Sequence, residues 1–494
     1  GAGSLRMRND HSSLTSNWIV NQGTLESGQF GTPLGSGTVT VNPGGRLAGH
    51  SFVVPNNVIL AGGDLGTRTG DGTDFFGTVD VTADSTVTMR SYTTPANAEA
   101  IAISGLVGGT GTLTLNGVAA GNPNGPKALI LRNTDNTFTG SFIVNAEQTL
   151  TSEATSGFGS TLNGRPVTLN RATLRIRDDG TGDNQTLLYG NNVTVAVGNS
   201  TIDLDHSTFG FTVGNTVQFG SLAIGAQTLT VNAASDYKAR FDGTTTLNGD
   251  ATLDVSTAVT LTGAVSGGFG LSKAGAGTLT LSGANTYTGA TNVVAGTLVV
   301  NGSTDPASNA AVTGILAGSG TIGGSANISP GSSISPGTGR GILTVGRDLT
   351  LFSGAIAAIE LGRRTGPDPV AGVDYDRIAV GTGGAGASTG SVSLDGSVLA
   401  LTLATGVRIG DVFFILINDG VDPITGRFAN APDNATVFAG TEPFLITYDG
   451  DAATGALDGG NDVALVAIPE PASAFSLLAS GLTFFARRRR CIAL

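Results

Sequence analysis

The strongest constraint on this chain is a threonine-leucine dyad that returns inside alternating stretches: Thr228-Leu229, Thr246-Leu247, Thr260-Leu261, Thr278-Leu279 and Thr297-Leu298. Successive leucines stand 18, 14, 18 and 19 residues apart, close to the lower end of the roughly 20-residue repeats that stack into solenoids. This spacing predicts one coil per dyad. Within Gly277-Thr278-Leu279-Thr280-Leu281 a strand puts both leucines on one face and both threonines on the other. Ser282-Gly283-Ala284-Asn285 then ends the strand. The same grammar returns at Gly296-Thr297-Leu298-Val299-Val300, closed by Asn301-Gly302. Weaker copies occur at Gly37 to Gly45, Gly111 to Gly117 and Pro166 to Asn170.

One such coil cannot bury its own leucine face, whereas stacked coils set Leu on Leu inside and Thr on Thr outside. The expected fold is therefore all-β: a parallel β-helix, right-handed because β-crossover-β connections overwhelmingly are. A set of β-sandwiches with glycine-rich turns would share the short alternating strands and is the competing fold. Composition agrees with either. There are 77 glycines and 17 prolines, 13% of residues are charged, and lysine occurs only at 127, 238 and 273, which argues against helical bundles. A single cysteine, Cys491, makes neither an internal disulfide nor a cysteine zinc site. The net charge of −12 speaks against a nucleic-acid partner, since phosphate binding needs clustered positive charge.

Three regions follow. Residues 1–350 read as β-helix, clearest at 267–302 and divergent at 105–150. Residues 351–466 lose the phase and hold dense β runs, Val398 to Leu403 and Val412 to Ile417; they are expected to form a β-rich cap over an otherwise aggregation-prone solenoid end, with the second run buried on both faces. Residues 467–494 differ from both. Pro469-Glu470-Pro471 precedes fifteen apolar or small residues, 472–486, and then Arg487-Arg488-Arg489-Arg490. Fifteen helical residues span about 22 Å, short of the roughly 30 Å hydrocarbon core. The arginine tetrad would hold its end at the cytoplasmic face and place the rest of the chain outside the inner membrane.

The segment Gly268 to Thr291, running on to Ala295-Gly296-Thr297-Leu298, resembles the autotransporter-associated β-strand repeat. A second, divergent copy runs from Gly109 to Gly140. That family implies a secreted or surface-exposed bacterial β-helix passenger. The tail departs from it, for a self-translocating passenger ends in a transmembrane β-barrel. It resembles instead the PEP-CTERM sorting signal, whose three parts stand here in order. That resemblance implies a short C-terminal transmembrane helix through 472–486, an exosortase-type processing enzyme as partner, a transient inner-membrane anchor, and Pro469, Glu470 and Pro471 as the sorting motif. Residues 1–30 hold no apolar run with a basic start. With Gly1 rather than methionine first, an export signal is expected to have been lost from this sequence.

Chemistry is the sharp alternative, because parallel β-helices include polysaccharide hydrolases and lyases. Asp178-Asp179-Gly180 and Asn133-Thr134-Asp135 faintly echo acidic motifs of pectin-cleaving β-helices. The expected Gly-His-Gly is missing, since His206 sits in Leu204-Asp205-His206-Ser207, so a solvated turn is the favoured reading. His11, His50 and His206 form no zinc pattern. Asp71 to Asp74, Asp178 to Asp183 and Asp449-Gly450-Asp451 are hard-oxygen clusters, yet none meets the EF-hand pattern, and turn-forming aspartates explain them. No catalytic residue, cofactor or metal site is assigned. The chain is expected to be a non-enzymatic structural or adhesive protein of the cell surface or extracellular space. Extracellular polysaccharide is an open contact. A polysaccharide-acting enzyme and a passive matrix or sheath component are the alternatives.

Overall fold

The computed structural model describes residues 3–28, 31–50, 53–67, 72–89, 100–117, 127–153, 165–207, 210–362, 366–381, 390–404, 406–418 and 422–470. It has two compact units, Gly1–Tyr287 and Thr288–Leu494. Every regular element among the described residues is a β-strand.

In the first unit the chain winds through stacked parallel sheets, three strands to a coil. Lys238–Phe241, Thr245–Leu247 and Ala251–Val255 lie in three different sheets before Val259–Leu261 returns to the first. One sheet has twelve strands, from Ser4–Met7 to Val265–Ser266, and its described pairings are parallel. This is a parallel β-helix. The side-chain alternation of each strand fixes what faces inward. Leu47, Leu65, Val87, Leu115, Val144, Leu169, Val195, Ile224 and Leu247 stack in register through nine coils, all of them buried. Outside, Thr201 lies beside Thr230 and Thr260 beside Thr280.

The expectation of one coil per dyad is corrected. Thr228-Leu229, Thr246-Leu247 and Thr260-Leu261 fall in three different sheets, because an outward threonine before an inward leucine suits any face of the coil. The true coil is read from the register. Leu253 pairs with Lys273 and Leu261 with Leu281, each twenty residues on, whereas Leu115 pairs with Val144, twenty-nine residues on. Coils of different length leave the strands in phase.

Those corners carry a repeated device. An Asn or Asp immediately before a strand accepts the backbone N–H of the residue immediately before the strand one coil later. Asn17 does this for Thr38 (2.9 Å), Asn57 for Thr78 (3.0 Å), Asp84 for Thr112 (2.7 Å), Asn192 for Ser221 (2.8 Å) and Asp250 for Gly270 (2.8 Å). Each bond satisfies a backbone donor that the ladder leaves over at a bend.

The second unit repeats the winding and then changes it. Thr291–Val293, Ala310–Val312, Ala326–Ile328, Leu349–Leu351 and Val392–Ser393 form one parallel ladder. A second runs from Thr297–Val300 through Ile315–Gly318, Ser333–Pro336 and Ile356–Leu361 to Val398–Leu403. The third sheet is parallel from Thr321–Ile322 through Ile342–Val345 and Arg377–Val380 to Val412–Asn418. It then turns antiparallel through Asp462–Ala467, Glu442–Gly450 and Thr436–Ala439. Phe413, Phe414, Ile415 and Leu416 are all buried, so the Val412–Asn418 strand is covered on both faces. Phe413 meets Tyr375 and Phe444 edge-on, at 5.3 and 6.0 Å between ring centres, a favoured aromatic geometry.

Candidate functional site

The C-terminal exit is set by the last strand. Asp462–Ala467 is bonded on both sides, to Val412–Asn418 and to Glu442–Gly450. Ile468 still donates its N–H to the Pro443 carbonyl at 3.1 Å. Pro469 has no N–H to continue such a ladder, and Pro469 and Glu470 are exposed. Pro469 and Glu470 therefore stand at the surface, just past a firmly held strand. Pro471, the apolar residues 472–486 and Arg487, Arg488, Arg489 and Arg490 lie outside the described residues. Among the described residues no helix is long and apolar enough to cross a membrane.

Asp178 and Asp179, the tempting acidic pair, sit in a hydrogen-bonded cluster. Asp178 is buried. Its Oδ2 accepts from the Tyr189 hydroxyl at 2.8 Å and its Oδ1 from the Gly180 N–H at 2.8 Å. The Tyr237 hydroxyl donates to the Asp178 carbonyl at 2.6 Å. Burial, and next the charge of Asp178, push the Tyr189 phenol well above its ordinary value. Asp179 accepts the Ser207 hydroxyl at 2.5 Å, the Ser207 N–H at 3.2 Å and the Thr212 hydroxyl at 3.2 Å. The pair thus ties several coils to one another. Asn133 Oδ1 accepts the Asp135 N–H at 2.8 Å, a local turn of the kind Asn favours.

The remaining candidates disperse. His206 Nδ1 contacts the Ser207 carbonyl oxygen at 2.7 Å. Asp74 accepts from Ser104 and pairs with Arg132 at 3.2 Å, and Asp451 accepts the N–H groups of Ala453 and Thr454 and the Thr454 hydroxyl. Asp71 lies outside the described residues. Among the described residues no three His, Cys, Asp or Glu side chains are grouped to hold a metal. A cleft of about 720 Å³ lies beside Ser4–Met7 and Trp18–Val20, lined by Leu5, Trp18, Ile19, Asn21 and Thr24. Trp18 there donates its indole N–H to the Leu34 carbonyl at 2.8 Å.

The clearest repeat shows features that its sequence did not announce. Lys273 takes an inward position opposite Leu253 and is only 1% exposed. Its ammonium donates to the carbonyls of Ala274 and Gly275 at 2.9 and 2.8 Å. Burial lowers its pKa to about 8, against an opposing pull from Asp254. Gly275 turns at φ +76°, where a side chain would also strike the Val255 carbonyl oxygen. Asn285 closes the next corner: its Oδ1 accepts the Val265 N–H at 2.9 Å and its Nδ2 donates to the Gly283 carbonyl at 3.0 Å. The only signal for these roles is position, an alternation parity for Lys273 and a place after the strand for Asn285.

Comparison with known proteins adds one family match. No curated protein matches the chain. Among solved structures, the Haemophilus influenzae Hap adhesin aligns at 12% identity with a TM-score of 0.26, over 94% of this chain and 56% of the adhesin. The chain thus spans little more than half of that protein's length. Residues 271–300 match the passenger-associated transport repeat, and they include Lys273, Gly275 and Asn285. This stretch is therefore an autotransporter-type repeat, carried on strands of a parallel β-helix.

Proposed function

We propose that this chain is an exported bacterial β-helical passenger that works at the cell surface or outside the cell, in a structural or adhesive role and without enzymatic activity. The observation that carries the reading is the passenger-type repeat at 271–300 within a parallel β-helix. The outward threonine columns and the acidic net charge suit a solvated, non-nucleic-acid surface. On this reading the tail is a PEP-CTERM signal, read by an exosortase-type enzyme at Pro469, Glu470 and Pro471. Residues 472–486 and the arginine tetrad hold the chain in the inner membrane until it is processed. Surface exposure of Pro469 and Glu470 beyond the last strand supports access by such an enzyme.

Protease treatment of intact cells of the native host tests the location. The β-helix is expected to be cleaved or shed while a cytoplasmic marker survives; protection equal to that marker contradicts export. Extracellular polysaccharide is the partner class to try first, and a passive matrix component would show no saturable binding to it. Release of oligosaccharide by the wild-type chain, abolished in Asp178→Asn, would favour the polysaccharide-cleaving alternative instead.

A further inference from the structure

We infer that the antiparallel end of the second unit holds a hard divalent cation, calcium by its chemistry, at Asn418, Asp422 and Asp462. Asn418 ends the strand Val412–Asn418 and is only 4% exposed. Its backbone N–H donates to Asp462 Oδ1 at 2.9 Å, and its side-chain NH₂ donates to the Asp422 carbonyl at 2.8 Å. Asn461 donates its own side-chain NH₂ to that same carbonyl at 2.8 Å. With its NH₂ committed, the Asn418 amide has a fixed orientation, and its Oδ1 is buried with no donor. Asp422 Oδ1 is buried with no donor as well. Asn418 is therefore tied to the Asp462 carboxylate and to the main chain of Asp422, with two buried oxygens left over.

Buried acceptors are ordinarily satisfied, and a buried carboxylate oxygen is the most demanding of them. Asp462 adds a second carboxylate, whose oxygens accept the N–H groups of Asn418 and Ala452. Asp451 repels it, while Arg377 attracts it without an ion pair among the described residues. No ion pair among the described residues involves Asp422 or Asp462. A cation fits what is missing. Two carboxylates and a carboxamide oxygen offer an all-oxygen, irregular donor set, which calcium, completing its shell with water, accepts and magnesium, with its strict octahedron and firmly held waters, does not. Asp451, in the adjoining turn, is not one of the site's ligands, because its carboxylate is already served by Ala453 and Thr454.

The full chain, stripped with chelator, is titrated with calcium chloride and followed by calorimetry and thermal unfolding. We expect one calcium at this site, with a dissociation constant of about 10⁻⁴–10⁻³ M as in extracellular modules, a raised unfolding temperature, and little response to magnesium. Asp422→Asn keeps the shape and removes the charge, and is expected to weaken binding by about tenfold or more. Should that variant fail to fold, Asn418→Asp, which turns the site's amide into a third carboxylate, is expected to make folding more dependent on calcium. No saturable calcium binding by the wild-type chain overturns the inference. So does undiminished binding in Asp422→Asn, or a crystal grown with calcium that shows a water on Asn418 Oδ1.

Discussion

Tyr189 joins coils that are far apart in sequence, because its hydroxyl donates to Asp178 and also lies 3.2 Å from that of Ser152. Tyr189→Phe leaves one buried carboxylate oxygen a donor short, and is expected to cost about 1–3 kcal/mol in denaturant unfolding. An unchanged midpoint would mean that water replaces the phenol. Lys273 is the opposite case, a charge placed where the column offers a leucine. Its folded pKa, about 8, lies below the ordinary lysine value of 10.5. Between those values the unfolded chain binds more protons, so this group adds stability as pH rises through the window and costs stability below it. The rise is expected to be on the order of 1–3 kcal/mol in all, with most of it gone in Lys273→Met. Parallel stability curves for the two proteins from pH 7.5 to 9.5, as a rough working range below tyrosine ionisation, would contradict that assignment.

At the scale of the strand, the inward and outward columns predict contrasting costs. Leu115 is buried between Val87 and Val144, so Leu115→Ala is expected to cost about 2–5 kcal/mol. Thr114 on the opposite face is expected to cost about 0.5 kcal/mol or less on change to alanine. Because coils interact with their nearest neighbours, hydrogen exchange in Leu115→Ala is expected to quicken mainly in the strands Ser85–Met89 and Phe142–Val144. Uniform acceleration across the first unit would refute the nearest-neighbour picture. The alternation that supports these predictions was legible in the sequence, since Thr-Leu-Thr-Leu admits one inside and one outside. Which face of the coil a dyad occupies was not, because all faces use the same alternation. Coil length was hidden for a related reason. Leu115 pairs with Val144 twenty-nine positions on and Leu261 with Leu281 twenty positions on, a difference that the alternation within a strand does not encode.

Over the whole molecule, the candidate site was read unevenly. Pro469, Glu470 and Pro471 stand out as a motif, and the two described members lie exposed past the last strand. Asp178 looked equally conspicuous, yet its environment depends on Tyr189 and Tyr237, partners that no local pattern brings together. No sequence pattern marks Asn17, Asn57, Asp84 and Asn192, whose role toward the next coil follows only once the register is known. The same holds for Asn418 and Asp462, separated by forty-four positions and joined by one hydrogen bond.

The most direct test of the account is the mass of the mature C-terminus of the full-length protein in its native host, beside a variant with Pro469, Glu470 and Pro471 changed to alanine. The account predicts a chain ending near Pro471 in the wild type and an uncut tail in the variant. A wild-type chain that still ends at Leu494 would contradict processing at this motif, and with it the release of the β-helix from the membrane.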